Sequence, residues 1–191
     1  MKSLRLLVCA LPLALGGCST LSAVNWSAAN PWNWFGSSTE VSEQGVGALT
    51  STTALEEGAL NDALDGDYRL RSGMKTADGK IVRYFEALKD DKVALVINGE
   101  SGTVSRIDVL EEGIATASDV KIGTPFSDVF GKAFGNCVSA TGDDIGSVLC
   151  KAPYSQHISY LFSGDWRGPQ GLMPPDDTLK NWTISKIVWQ R

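Results

Sequence analysis

The chain is poor in the residues from which most active sites are assembled. Among its 191 residues there is one histidine, His157, with four cysteines and three methionines. A single histidine and no C-x-x-C spacing leave little with which to build a zinc centre. The metalloprotease H-E-x-x-H, the G-x-S-x-G nucleophile elbow and the phosphate-binding P-loop are all missing. Gly45-Val46-Gly47 begins like a dinucleotide fingerprint but lacks the third glycine and a preceding strand. Asp65-Gly66-Asp67 opens like a calcium loop. Leu70 then stands where that loop needs glycine, and Thr76 where it needs a bidentate glutamate. No metal and no cofactor are therefore expected. Positive charge is also short: 17 Lys and Arg face 22 Asp and Glu. That balance argues against a nucleic-acid partner and against a polybasic hold on lipid. Finally, the apolar run Leu6 to Leu15 is too short for a membrane-spanning helix, which needs about 20 apolar residues.

A short apolar run after Lys2 and Arg5, closed by small residues, is instead the pattern of a cleaved export signal. It ends Leu15-Gly16-Gly17-Cys18, which resembles the bacterial lipobox (aliphatic, small, small, Cys). The resemblance implies lipid attachment to the Cys18 thiol, cleavage before Cys18, and acylation of the new amino group. Residues 1–17 are then the signal peptide. Ser19, where inner-membrane lipoproteins usually carry Asp, implies delivery to the periplasmic face of the outer membrane. One acyl chain anchors a protein only marginally, whereas several on Cys18 would hold it durably. The expected localisation is thus lipid-anchored at the outer membrane, with the membrane as a partner through Cys18.

Residues 18–45 read as a tether rich in Ser, Ala and Asn without a clean period. Trp26, Trp32, Trp34 and Phe35 lie close to the anchor. Their rings suit either the membrane–water interface or the surface of the protein's own domain. Cys9 leaves with the signal and Cys18 takes lipid, so Cys137 and Cys150 remain. In an oxidising periplasm they are expected to pair, closing a short loop that contributes about 3 kcal/mol in the chain-entropy account.

The folded part, residues 46–191, reads as a single globular domain. Thr53 to Glu56 has capping-box spacing, Leu55, Ala59, Leu60, Ala63 and Leu64 recur at helical spacing, and Gly66 can close the helix. Strands are expected over Asp67–Met74, Ile81–Leu88, Lys92–Ile97 and Thr103–Leu110, with turns at Asp78-Gly79 and Asn98-Gly99. A second helix is expected after Thr124-Pro125. There Phe126, Val129, Phe130, Ala133 and Phe134 share one face and Gly135 follows. Strands over Ser147–Lys151, His157–Ser163 and Asn181–Gln190 complete the chain. Thr103-Val104-Ser105-Arg106-Ile107 and Thr183-Ile184-Ser185-Lys186-Ile187 echo one another. The expected fold is α+β: antiparallel sheet packed with two helices, arranged as two helix-plus-meander repeats.

The stretches DGDYRLRSGM from Asp65, KIGTPFSD from Lys121, AFGNC from Ala133, QHISY from Gln156 and DDTLKNW from Asp176 resemble an enterobacterial lipoprotein family. So does NWSAANPWNWFG in the tether. That family is controlled by the envelope-stress factor sigma-E and carries a domain of unknown function. The resemblance implies an outer-membrane lipoprotein of the envelope-stress response and transfers no catalytic residues.

Two places could still carry function. His157, flanked by Ser155 and Ser159, can act as a base near neutral pH if an acid such as Asp143, Asp144 or Asp165 comes near. The Gly- and Pro-rich segment from Gly164 to Asp177 presents Trp166 and Arg167, residue types enriched at interfaces. Three readings follow: a non-enzymatic module for an envelope protein partner, a hydrolase using His157, or a small-ligand binder. A cleft around Trp166 and Arg167 would favour a ligand or a reaction, and an exposed convex patch a protein.

Overall fold

The computed structural model of the chain describes residues 39–77, 79–169 and 171–191. Cys18, Ser19 and the aromatic residues from Trp26 to Phe35 lie outside them. The described residues form strands β1 (Glu40–Ser42), β2 (Gly45–Val46) and β3 (Leu49–Thr50), helix α1 (Glu57–Ala63), then β4 (Arg69–Ala77), β5 (Lys80–Lys89), β6 (Lys92–Glu100) and β7 (Thr103–Val109). After β8 (Ala115–Thr116) and α2 (Phe126–Val129) come β9 (Cys137–Ser139), β10 (Val148–Lys151) and β11 (Ile158–Ser163). The chain closes with α3 (Asp176–Leu179) and β12 (Thr183–Gln190).

Eight strands make one antiparallel sheet in the order β4-β5-β6-β7-β12-β11-β10-β9, and four short ones a second sheet, β3-β2-β1-β8. The long strands arise where β-branched and aromatic residues alternate with polar ones, so that one face is buried. On that face Phe85, Ile97, Ile107, Trp189 and Ile158 lie in one row across five strands. All five are buried. Leu60 and Leu64 near α1, Val41, Val46 and Leu49 of the small sheet, Phe126 of α2 and Leu179 of α3 close over it. Each large apolar side chain so covered contributes roughly 1.5–3 kcal/mol by leaving water.

The domain is richer in strand than an α+β body with two packed helices. The second helix is the main correction. It stops at Val129, and Phe130 is extended with φ −130° and ψ 134°. Aromatic and β-branched residues favour helix weakly, and Gly131 follows at once. Leaving the helix lets the Phe130 ring meet Phe126 at 5.4 Å and Phe162 at 6.0 Å. Phe134, expected on the buried face, is 85% exposed. The capping box is a second correction. The Thr53 hydroxyl accepts from the Thr50 N–H, Ala54 bridges to Thr103, and Glu56 opens the helix without a side-chain cap. Gly66 does close α1, at φ 73° with its N–H donating to the Asn61 carbonyl. Asn98-Gly99 is not a turn: it is a register shift inside β6, and the chain turns at Ser101-Gly102 with positive φ at both. Leu55 packs so close to Gly99 that a Cβ there would stand 2.6 Å from its methyl, so the glycine admits that contact. Among the described residues the first strand, β1, begins at Glu40, inside the stretch assigned to the tether.

The two echoing segments are β7 and β12, and they pair with each other at the centre of the large sheet. Asp108 stands opposite Val188, the residues that the sequence match itself aligns. Ile107 faces Trp189 and Val109 faces Ile187, so a local two-fold through the central pair exchanges the flanking ones. On either side the chain runs a helix and then a four-strand meander: α1 with β4 to β7, α2 with β9 to β12.

Candidate functional site

His157 stands just before β11, half-buried, with its ring 6.1 Å from that of Trp189. Its Nδ1 lies 2.9 Å from the Gln190 carbonyl oxygen. A carbonyl only accepts, so Nδ1–H donates to it. Ser155 is buried two residues earlier. Its Oγ accepts the Ile158 N–H at 2.7 Å and the His157 N–H at 3.2 Å, and its hydroxyl donates to Glu43 Oε1. One donor and two lone pairs are all a hydroxyl has. Ser155 is therefore fully committed to structure. In a Ser-His-acid relay the histidine accepts from the serine and the acid orients the histidine. Here the acid takes the serine's proton instead. Of the acids expected near His157, Asp144 pairs with Lys186 at 2.8 Å, and the carboxylate that arrives is Glu43.

Glu43 reaches this turn from the β1–β2 connection. Its Oε2 accepts the Gln156 N–H at 3.0 Å, and its own carbonyl accepts the Trp189 Nε1–H at 3.2 Å. The Ser155 hydroxyl, then the Gln156 N–H, hold the Glu43 carboxyl below its usual range against the opposing effect of partial burial. This cluster fastens the small sheet to the end of the large one. Nothing in the spacing signals it, because Glu43 stands in a stretch without periodicity.

Trp166 and Arg167 lie on the connection between β11 and α3. Arg167 is exposed, and Trp166 is half-buried against the core cluster. Two glycines admit the indoles of this region. A Cβ at Gly168 would stand 2.0 Å from the Trp166 ring, and one at Gly164 2.3 Å from the Trp182 ring. Trp166 lines a cleft of about 290 Å³ together with Ser139, Ser147, Gly164, Leu172 and Pro174. Pro174 also belongs to a shallower hollow lined by Phe134, Cys137 and Met173, so the two adjoin. Phe134 and Leu172, 85% and 60% exposed, stand on this surface. The Trp166 Nε1–H is buried and has no partner among the described residues.

β9 forms one wall. It is an edge of the large sheet and pairs only with β10 among the described residues. The Ala140 N–H donates to Ser147 and the Lys151 N–H to Asn136, so the even-numbered residues face β10. By the alternation of an antiparallel ladder, the Ser139 N–H and C=O point off the free edge. Cys137 and Cys150 stand opposite each other in that register, with their sulfurs at bonding distance, 2.10 Å. The disulfide expected from cysteine usage thus sits in the wall of the groove. Among the described residues no cluster of His, Cys, Asp and Glu could hold a metal, and no helix is long and apolar enough to cross a membrane.

The class of protein this structure defines is a mostly antiparallel β domain with a disulfide-stapled edge strand and a groove beside that edge. The family of proteins of unknown function called DUF1131 matches residues 23–191, and the chain belongs to that family. It is 71% identical, over the full length of both chains, to the uncharacterized protein YfeY of Escherichia coli strain K12. A crystal structure of the uncharacterized protein yfeY from Escherichia coli matches with a TM-score of 0.75 at 65% identity. It covers 80% of this chain and 100% of the other.

Proposed function

We propose that the protein is a non-enzymatic binding module of the bacterial envelope, held by lipid on Cys18 at the periplasmic face of the outer membrane, and that it serves the envelope-stress response. The observation that supports the binding reading best is the groove between β9 and the Trp166 loop. It combines a free strand edge with exposed Phe134 and Leu172 and a cleft beside them. An extended peptide segment of another envelope protein suits such a site, with main-chain bonds at the edge and side chains in the hollows. The lipobox around Cys18, with Ser19 after it, supports the location. The matched registers of β7 and β12 support descent of the domain from a duplicated helix-plus-meander unit.

The cleft at Trp166 also favours a second reading, a small ligand seated between Trp166 and Leu172. Hydrolysis through His157 has no such support, since Ser155 and Glu43 bond each other. Location is tested by Cys18→Ala, which should leave an uncleaved precursor missing from outer-membrane fractions; a mutant still cleaved and still sedimenting there refutes the anchor. Binding is tested by chemical crosslinking in cells followed by isolation of the protein. A recurrent adduct of the wild type should vanish in Phe134→Ser, Leu172→Ser, whose sites are too exposed to upset the fold. A ligand in the Trp166 cleft would be disturbed by Leu172→Ser but not by Phe134→Ser alone, since Phe134 lines only the adjoining hollow.

A further inference from the structure

The opposite edge of the large sheet ends in a projecting finger. β5 pairs with β6 only from Tyr84 onward, whereas its pairing with β4 continues to Lys80. The pairs Met74–Arg83, Lys75–Val82, Thr76–Ile81 and Ala77–Lys80 therefore stand clear of the third strand, a reach of about 14 Å at 3.4 Å per residue. Met74 and Ile81 continue the face that is buried further along the hairpin at Phe85 and Ala87, yet here they are 70% and 77% exposed. Arg83, opposite Met74, shares their face, while Lys75 and Lys80 project from the other face of the same hairpin; Asp78 is the one acid of the segment, in a chain whose acids outnumber its bases. Among the described residues none of the three cations has a salt-bridge partner; Lys75 lies 5.6 Å from the centre of the Tyr84 ring. That ring lies across Gly73, where a Cβ would come within 2.5 Å of it, so the finger's base is stiffened from its other face.

We propose that this finger docks end-on to an anionic lipid surface. Two apolar side chains enter the headgroup layer while Lys75, Lys80 and Arg83 meet lipid phosphates. Charge complementarity carries the assignment: a basic projection on an acidic protein meets a negative bilayer without drawing the rest of the domain onto it. Lysines on an edge strand also guard against strand-to-strand aggregation. That role has no use for exposed Met74 and Ile81 at the same end of the hairpin. The proposal rests on the finger's own residues and not on Cys18.

The test places a fluorescent non-natural amino acid at Ile81, or at Tyr154 as a fully exposed control, in the full chain mixed with vesicles bearing nitroxide-labelled lipids. On vesicles of phosphatidylethanolamine and phosphatidylglycerol the Ile81 probe should be quenched and the Tyr154 probe not. Each cation near an anionic surface is worth roughly five-fold in partition. Lys75→Glu, Lys80→Glu, Arg83→Glu should therefore weaken engagement by at least about a hundred-fold and return quenching to the control level, as should high salt. Equal quenching at the two sites, or quenching that persists on neutral phosphatidylcholine and survives the charge reversals, overturns the proposal. Reversals that cause self-association while leaving the quenching unchanged would assign the cations to edge protection and overturn it as well.

Discussion

Ser155→Ala separates a structural serine from a nucleophile. The substitution removes the acceptor of the Ile158 N–H at 2.7 Å and of the His157 N–H at 3.2 Å, and the donor to Glu43. The alanine methyl satisfies none of them. A buried donor left without a partner costs about 1–3 kcal/mol. The Ile158 N–H is buried, whereas His157 is half-buried and Glu43 keeps partial access to water. The sum is about 2–3 kcal/mol, a large part of the stability of a domain of this size. With a urea slope of about 2 kcal/mol/M, the midpoint should fall by roughly 1–1.5 M at unchanged slope. Equilibrium urea unfolding followed by tryptophan fluorescence reads this directly. A serine held in place for catalysis behaves otherwise: its loss commonly spares or raises stability. A midpoint shift below about 0.3 M would refute the structural account of this cluster.

The same cluster has a pH signature. The Glu43 carboxyl is held below its usual value near 4.5, chiefly by the Ser155 hydroxyl. Its contribution is complete above that value and is lost as the pH falls through the lower folded value. Below about pH 4.5 the urea midpoint of the wild type should therefore drop more steeply than that of Glu43→Gln; parallel curves would contradict this. Replacing Cys137 and Cys150 together by serine should cost about 3 kcal/mol and make stability indifferent to reductant, and an unchanged thermal midpoint would count against the disulfide. Gly168→Ala puts a methyl 2.0 Å from the Trp166 ring, so the indole must move. A loss of about 1–3 kcal/mol with altered tryptophan emission is expected, and native emission with native stability would show that the ring does not rest on Gly168.

The strands of the large sheet were legible because their alternation matches a half-buried pleat, and β4, β5, β7, β10, β11 and β12 fall close to the expected segments. Asn98-Gly99 misled because the same dipeptide that favours a turn also suits a bulge, and only Leu55, packed on Gly99, decides between them. The Phe126 to Phe134 stretch had a helical period, but period alone does not record Gly131 or the pull of Phe162 on Phe130. The groove was half legible. Trp166 stood out by residue type, and its burial against the core with Gly168 across its ring could not be read from spacing. Phe134 was assigned to the core and stands instead on the groove surface, at 85% exposure. Glu43 escaped notice because its partners, Ser155 and Gln156, are more than a hundred residues away in sequence.

Photo-crosslinking in living cells during envelope stress, from probes at Arg167 and Leu172 with Tyr154 as control, tests the binding account most directly. The account predicts one recurrent envelope-protein adduct at Arg167 and Leu172, absent at Tyr154 and lost in Gly168→Ala. Identical adducts at all three sites, or none at Arg167 and Leu172 while the protein is abundant, would contradict it.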